Sequence, residues 1–143
     1  MIEFVPFDPM HFEFLNVPDE FAAQAAREDP QALAHSREAW TAVDLDTGEV
    51  LAVMGAIETY NGVFYLWGYL SENGGRHLLA ITRFFRRWIS LIDGVRLECT
   101  IRKNWKCGHR WMRLMKFRKE TARPMRLWDG FSDFHLYAKV NAQ

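Results

Sequence analysis

The segment that decides the fold is residues 62–117, which read GVFYLWGYLSENGGRHLLAITRFFRRWISLIDGVRLECTIRKNWKCGHRWMRLMKF. It opens on an apolar run, Val63 to Leu70, bounded by turn residues, and such a run is typical of a buried β-strand. The glycine pair Gly74 and Gly75 follows. A glycine pair between a buried strand and the start of a helix leaves backbone N–H groups accessible to an anion. The segment therefore predicts a strand, a loop that can hold a phosphate, and a helix.

The remainder of the segment repeats the order of helix and strand. From Arg76 to Ile92 apolar residues recur at every third and fourth position, which predicts an amphipathic helix that ends at Asp93-Gly94. Alternation over residues 95–101 predicts another strand. Asn104 is a suitable N-cap for a second helix beginning at Trp105. On that helix we expect an apolar side formed by Cys107, Trp111, Leu114 and Met115. We also expect a basic stripe formed by Lys106, Arg110 and Arg113.

The flanking sequence supplies further strands and two short helices. Residues 1–7, 40–45 and 50–57 predict strands, the last two joined by a tight turn, and residues 121–128 and 134–140 predict a closing pair. Asp8 before Pro9 predicts a capped short helix, residues 19–28 predict a second, and residues 31–38 would add one or two further turns. The 143 residues contain no linker or repeat, so we expect a single domain over residues 1–143.

Charge is divided sharply between the two halves of a chain whose formal net charge is zero. Residues 1–72 hold 13 acidic and 2 basic side chains, whereas residues 73–143 hold 5 acidic and 16 basic ones. This asymmetry indicates an anionic partner for the second half, or two halves that neutralise each other. Two cysteines are too few for a disulfide framework. With neither a signal peptide nor a long apolar run in view, we expect a cytoplasmic protein that binds no membrane.

The order of elements resembles the GNAT superfamily of acyl-CoA N-acyltransferases, and the likeness covers nearly the whole chain. It implies an α/β (α+β) fold of three layers. A central mixed and mostly antiparallel sheet of about six to seven strands would be flanked by helices. The resemblance also implies a splay between the fourth and fifth strands, in which acyl-CoA would lie.

The resemblance further implies which residues would hold acetyl-CoA or another acyl-CoA. In the family, a loop written (Gln/Arg)-x-x-Gly-x-(Gly/Ala) binds the pyrophosphate through its amides, and the matching stretch here is SENGGR, residues 71–76. An Asn follows the fifth strand in the family, and Asn104 matches it. The implied cofactor residues are Leu70, Ser71, Asn73, Gly74, Gly75, Arg76, His77, Arg83 and Asn104. The alternative is an ordinary strand-to-helix turn that binds nothing.

Two departures from the family pattern bear on catalysis. The family helix ends in Tyr-x-Lys-x-Gly-Phe; here Phe117 matches the final Phe, Trp111-Met112 stands at the aromatic-Tyr pair, and Lys116 replaces the Gly. That Tyr commonly protonates the departing thiolate, which neither Trp nor Met can do. Candidate catalytic groups are Glu58 as a base for an amine and Tyr69 as a replacement acid. Their structural alternatives are a solvated carboxylate and a core aromatic residue. No metal ligand pattern is present.

A short chain of this kind with an altered cofactor loop is also similar to small internal-virion or assembly proteins of short-tailed phages. That resemblance implies a binding protein, without a cofactor if the site is degenerate, whose partner is a host enzyme or a virion component. The acidic helix at residues 19–28 could also support a homodimer by packing against the basic half of a second copy. Nucleic acid ranks behind these partners, because no known motif accompanies the basic stripe.

Overall fold

The computed structural model describes residues 1–92 and 96–140. Its seven strands form one mixed sheet in the order β1-β2-β3-β4-β5-β7-β6, mostly antiparallel with β4 and β5 parallel, which confirms the expected fold class. The strands are β1 Ile2–Pro6, β2 Glu38–Asp44, β3 Val50–Tyr60, β4 Val63–Leu70, β5 Arg96–Arg102, β6 Arg118–Lys119 and β7 Phe134–Val140.

Five α-helices and a 3-10 turn accompany the sheet in the described residues. They are α1 Pro9–Glu13, α2 Asp19–Ala26, α3 Pro30–Leu33, α4 Leu78–Ser90 and α5 Lys106–Leu114, with the 3-10 turn at Gly74–His77. The expected cap of α1 is confirmed, because Asp8 Oδ1 accepts a hydrogen bond of 2.9 Å from the Met10 amide. None of the helices in these ranges has the length and apolar character needed to cross a membrane.

Contacts divide the chain into two compact units. The first comprises Met1–Glu58 and Leu66–Leu91, and the second comprises Thr59–Tyr65 and Ile92–Gln143. The expected helix end at Asp93-Gly94 lies outside the described residues.

The core of the first unit is built around β3. Its residues from Val50 to Ala56 are all buried, as the nearly unbroken apolar run predicts for a strand covered on both faces. The antiparallel β1-β2-β3 sheet carries this strand. On α4 the buried positions are Ile81, Phe85, Trp88 and Ile89, which confirms the periodicity of that helix. The helix begins later than expected, because Gly74–His77 forms the 3-10 turn first.

The second unit contains the parallel ladder, in which Val63–Tyr65 pair with Arg96–Glu98. β7 pairs antiparallel with β5 along its whole length. The expected strand over residues 121–128 is wrong: regular pairing is confined to β6 at Arg118–Lys119, with one isolated bridge between Met125 and Phe134. Pro124 lacks the N–H that a ladder needs, and the chain turns after it.

Two expectations for α5 are also wrong. Asn104 does not cap the helix; the N-cap is Trp105, which makes no side-chain capping hydrogen bond. The helix therefore starts one residue later, and its buried positions are Gly108 and Met112, followed by Met115 just after it. Cys107 and Leu114, expected on the apolar side, are exposed.

The end of α5 follows a Schellman motif with an unusual residue. The Phe117 amide donates to the Met112 carbonyl at 2.9 Å and the Lys116 amide to the Arg113 carbonyl at 3.1 Å. Lys116 has a φ of 68°, the left-handed conformation that glycine ordinarily supplies at this position. Lys116 therefore adopts this conformation under strain.

Candidate functional site

The loop between β4 and α4 lies in the first unit and is fixed by its own backbone. The Ser71 amide donates to the Leu51 carbonyl of β3 at 2.8 Å, and the Glu72 amide donates to the Asn16 carbonyl at 3.0 Å. These two hydrogen bonds tie the start of the loop to its neighbours. The chain then enters the 3-10 turn and continues directly into α4.

The two glycines of the loop have different roles. Gly74 is buried, and a Cβ added there would lie 2.6 Å from the Leu51 carbonyl oxygen, so the close approach to β3 requires glycine. Gly75 is exposed, and a Cβ added there would meet nothing within 4 Å. The first glycine serves packing, whereas the second leaves a stretch of backbone open to solvent.

Three donors of the loop have no hydrogen-bond partner in the described part of the protein. The Gly74 amide donates to the Ser71 carbonyl and the Arg76 amide to the Asn73 carbonyl, whereas the amides of Asn73 and Gly75 donate to no group among residues 1–92 and 96–140. The Ser71 hydroxyl is buried and likewise has no hydrogen-bond partner in those ranges. A buried hydroxyl without a protein partner is typical of a place where water or a ligand oxygen binds.

The side chains around the loop divide into engaged and exposed ones. Asn73 Nδ2 donates to both carboxylate oxygens of Glu49, at 3.1 and 3.3 Å. His77 Nε2 lies 3.9 Å from Asp44 Oδ2. The Asp46 amide, which donates to Asp44, lowers the pKa of that carboxyl and keeps it charged.

The two arginines expected at the loop do not contact a carboxylate as Asn73 and His77 do. Arg76 and Arg83 are exposed, and neither forms an ion pair within the described part of the chain. Arg76 and Arg83 are therefore the side chains best able to add charge-assisted contacts to a phosphate near the loop.

The two candidate catalytic residues lie in the same unit, but in different settings. Glu58 lies near the end of β3 with a side chain 37% exposed, and Arg37 Nη1 lies 3.6 Å from its Oε1. Tyr69 on β4 is buried, and its hydroxyl donates to Glu28 Oε1 at 2.8 Å. Its ring packs edge-on against Phe12. The Tyr69 proton is therefore directed to a carboxylate, and this hydrogen bond must open before Tyr69 can act as an acid.

Asn104 lies in the second unit, within the exposed turn between β5 and α5. In the same unit, Met112 is fully buried and Phe117 is nearly so. The GNAT resemblance matches Met112 to the family's Tyr and Phe117 to its final Phe, and the Met112 thioether cannot donate a proton.

A buried polar network in the second unit was not predicted. His109 Nε2 lies 2.9 and 3.1 Å from the carbonyl oxygens of Lys103 and Arg102, so this nitrogen carries the hydrogen. Its Nδ1 therefore accepts from the Tyr137 hydroxyl at 2.7 Å. Burial raises the pKa of Tyr137, which keeps the phenol protonated as this arrangement needs.

His135 extends that network on the same strand as Tyr137. Its Nδ1 lies 2.9 Å from the Thr121 hydroxyl, and its ring packs edge-on against His109. Burial lowers the pKa of His135 and favours the neutral ring. The sequence could have indicated that His135 and Tyr137 lie together, because residues at i and i+2 of a strand share one face. No group of three His, Cys, Asp or Glu side chains suited to a metal ion occurs within the described ranges.

Comparison with known proteins identifies the fold. No family model matches the chain, and no curated protein matches its sequence. Among solved structures, Ard1 from Thermoplasma volcanium matches with a TM-score of 0.75 and 11% identity over 99% of each chain. A GCN5-related N-acetyltransferase from Kribbella flavida matches with a TM-score of 0.69 and 13% identity over 98% of each chain.

A GNAT-family acetyltransferase from Bacillus anthracis gives a TM-score of 0.67 and 11% identity, with 97% of this chain and 94% of that chain covered. The likeness spans whole chains at each of these three structures, so the protein has the GNAT fold. Identities this low establish the fold and not the activity, since one scaffold can carry different functions.

Proposed function

We propose that this protein binds acetyl-CoA, or a related acyl-CoA, and transfers the acyl group to an amine. The observation that carries the proposal is the loop on a GNAT-type sheet, in which the Asn73 and Gly75 amides have no acceptor and the buried Ser71 hydroxyl beneath them has no partner among the described residues. Backbone donors at the start of a helix bind phosphate well, because they add to the positive end of the helix dipole.

The pyrophosphate of the cofactor would lie against these donors, with Arg76 and Arg83 adding charge-assisted contacts. The thioester would extend from the loop along β4. An amide between Tyr69 and Ser71 would polarise its carbonyl. The Ser71 amide donates to the Leu51 carbonyl of β3, and the Tyr69 amide, two residues earlier on the strand, points the same way, so that role would fall to Leu70.

Glu58 would accept the proton of the attacking amine through intervening water. The Ser71 amide pairs with Leu51 and a tight turn joins β3 to β4, so Glu58 lies four to five residues, roughly 13–17 Å, along the hairpin from Tyr69. The amine nitrogen forms a bond to the thioester carbonyl carbon, the bond to sulfur breaks, and coenzyme A leaves as a thiolate. Tyr69 is the candidate for returning a proton to that sulfur once its hydrogen bond to Glu28 opens.

The test is release of free thiol from acetyl-CoA in the presence of a panel of amines. Glu58→Gln should lower kcat with little change in KM, because a base acts on the chemical step. Tyr69→Phe should do the same if Tyr69 is the acid. Absence of thiol release with every amine, together with absence of acetyl-CoA binding, would reject the proposal.

A second candidate function rests on the buried Met112. A GNAT-type scaffold without the hydroxyl at this position could act by protein binding alone, for example to a host enzyme or a virion component. This candidate predicts a stoichiometric complex between purified proteins and no thiol release. Acyl transfer at an ordinary enzymatic rate would reject it, and so would failure to form any complex with a defined partner.

A further inference from the structure

The β6 edge of the sheet, in the second unit, carries an unusual concentration of positive charge. Residues 102–126 include ten Lys or Arg residues and a single acidic residue, Glu120. Arg96 holds that carboxylate: its Nη1 donates to Glu120 at 3.1 Å while its Nε donates to Glu98 at 3.2 Å. Hydrogen bonding to Arg96 lowers the pKa of Glu120, so the pair stays charged. Arg96 thus shares its single positive charge between Glu98 and Glu120, and these three groups together leave one negative charge against the ten cations of the segment.

The cations at this edge surround an open groove of about 660 Å³. Its lining includes Lys116, Arg118, Lys119 and Lys139, and the first three are exposed. None of the four forms an ion pair with a carboxylate among the described residues. Glu120 also lines the groove and interacts electrostatically with Arg118, so four cations share one carboxylate there. The excess positive charge is self-repelling, and an anion that binds there relieves this repulsion.

Positively charged side chains continue along β7 beyond the groove. The Glu120 amide donates to the Leu136 carbonyl at 2.8 Å, and the Met125 amide donates to the Phe134 carbonyl at 2.7 Å, so the chain from β6 to residue 125 follows β7. The paired part of β7, from its contact with Arg118 to its contact with Met125, is roughly 13 Å long at the usual strand rise. Arg123 and Arg126 are exposed on this path.

Two exposed aromatic side chains follow the cations in the loop before β7. Trp128 is 56% exposed and Phe131 is 65% exposed. Asp129 shapes this loop through hydrogen bonds to the Phe131 and Ser132 amides at 2.9 and 2.7 Å. An ordered loop that holds large aromatic rings in solvent is a suitable platform for stacking.

We propose that the cationic edge, residues 116–131 with Lys139, binds single-stranded nucleic acid. The groove and Arg123 and Arg126 contact successive phosphates, and Trp128 and Phe131 stack on unpaired bases. Arginine guanidinium groups suit the phosphate geometry. The exposed rings distinguish this partner from an acidic protein, which needs cations but no stacking platform, and from duplex, whose bases are already stacked.

The test is fluorescence anisotropy of a labelled single-stranded oligonucleotide of about 20 nucleotides, titrated with the full chain at several salt concentrations. Binding should weaken steeply with salt. The double variant Arg118→Ala/Lys119→Ala should reduce the magnitude of the slope of log K against log salt by about 1.4, since each lost phosphate contact changes it by about 0.7. Trp128→Ala should weaken binding about tenfold, the effect of losing one stacked base.

The matched control is Arg86→Ala/Arg87→Ala, which removes the same charge from two exposed positions on α4 in the first unit. It should leave affinity and salt slope nearly unchanged. Circular dichroism and thermal melting confirm that each variant is folded. Acetyl-CoA titration of the edge variants separates this proposal from the proposed function, because the variants leave the loop at Gly75 intact.

Several results would overturn the proposal. One is absence of binding at low salt, and another is equal loss of affinity in the control variant. If poly-glutamate binds as tightly as the oligonucleotide and Trp128→Ala affects neither, the edge is a general surface for acidic partners. If sedimentation shows a dimer that Arg118→Ala/Lys119→Ala dissociates, the edge is occupied by the acidic half of a second copy.

Discussion

Replacing Gly74 by alanine tests how the cofactor loop is held. The new Cβ would lie 2.6 Å from the Leu51 carbonyl oxygen and 3.2 Å from Leu70 Cδ2. The first distance is too short for a carbon–oxygen contact. The oxygen is a backbone atom of the buried strand β3 and cannot give way easily, so the loop must move. Overpacking of this kind costs about 1–3 kcal/mol, and the reduced entropy of the unfolded alanine chain offsets about 0.4–1 kcal/mol of it.

We therefore expect Gly74→Ala to lower the free energy of unfolding by about 1–2 kcal/mol. For a chain of this size that corresponds to a fall in Tm of roughly 2–8 °C. Urea unfolding followed by tryptophan fluorescence measures the change, and an unchanged m-value shows that the unfolded state is not the cause.

Gly75→Ala is the matched control, one residue away in the same turn. Its Cβ meets nothing within 4 Å, so stability should be unchanged or slightly higher. Equal stabilities of the two variants would refute the account of why this loop contains a buried and an open glycine. The same outcome would follow if Gly75→Ala were the more destabilised of the two.

Three further predictions concern the second unit. Lys116→Gly should raise the free energy of unfolding by about 1 kcal/mol in urea unfolding, because glycine adopts the left-handed conformation without strain; a destabilised variant would contradict this. Burial favours neutral His135, so its contribution to stability is present above a pH of about 6.5, the pKa of an unfolded histidine, and is lost as the pH falls below it. The Tm of the native protein should thus fall more on acidification than that of His135→Asn, and parallel profiles would exclude this role. A maleimide should label exposed Cys107 quickly, whereas burial raises the pKa of the Cys99 thiol to about 12; fast labelling that survives in Cys107→Ser would refute the assignment.

Much of the fold could be predicted from local pattern. The apolar run of β3 and the periodicity of α4 each identify an element whose burial is decided by its own sequence. The errors occur where the pattern is weak. Pro124 interrupts the expected closing strand, and α5 buries Gly108 and Met112 instead of Cys107 and Leu114. On a short helix rich in charge, a shift of one residue changes which side faces the core.

The candidate site could be predicted only as a segment. The glycine pair identified the loop, but nothing in the sequence assigns packing to Gly74 and openness to Gly75, because that difference depends on the Leu51 carbonyl. The unpaired Ser71 hydroxyl likewise emerges from burial. The hydrogen bond of His109 to Tyr137 joins residues 28 positions apart, a contact that local periodicity does not report.

The measurement that tests the central claim most directly is calorimetric titration of acetyl-CoA into the native protein, Gly75→Ala and Gly75→Glu. The account predicts binding to the native protein and to Gly75→Ala, and its loss in Gly75→Glu, which adds a carboxylate at the open backbone on a Cβ that meets nothing within 4 Å. All three proteins should be equally stable. Absence of binding to the native protein, or undiminished binding to Gly75→Glu, would contradict the assignment of this loop as the cofactor site.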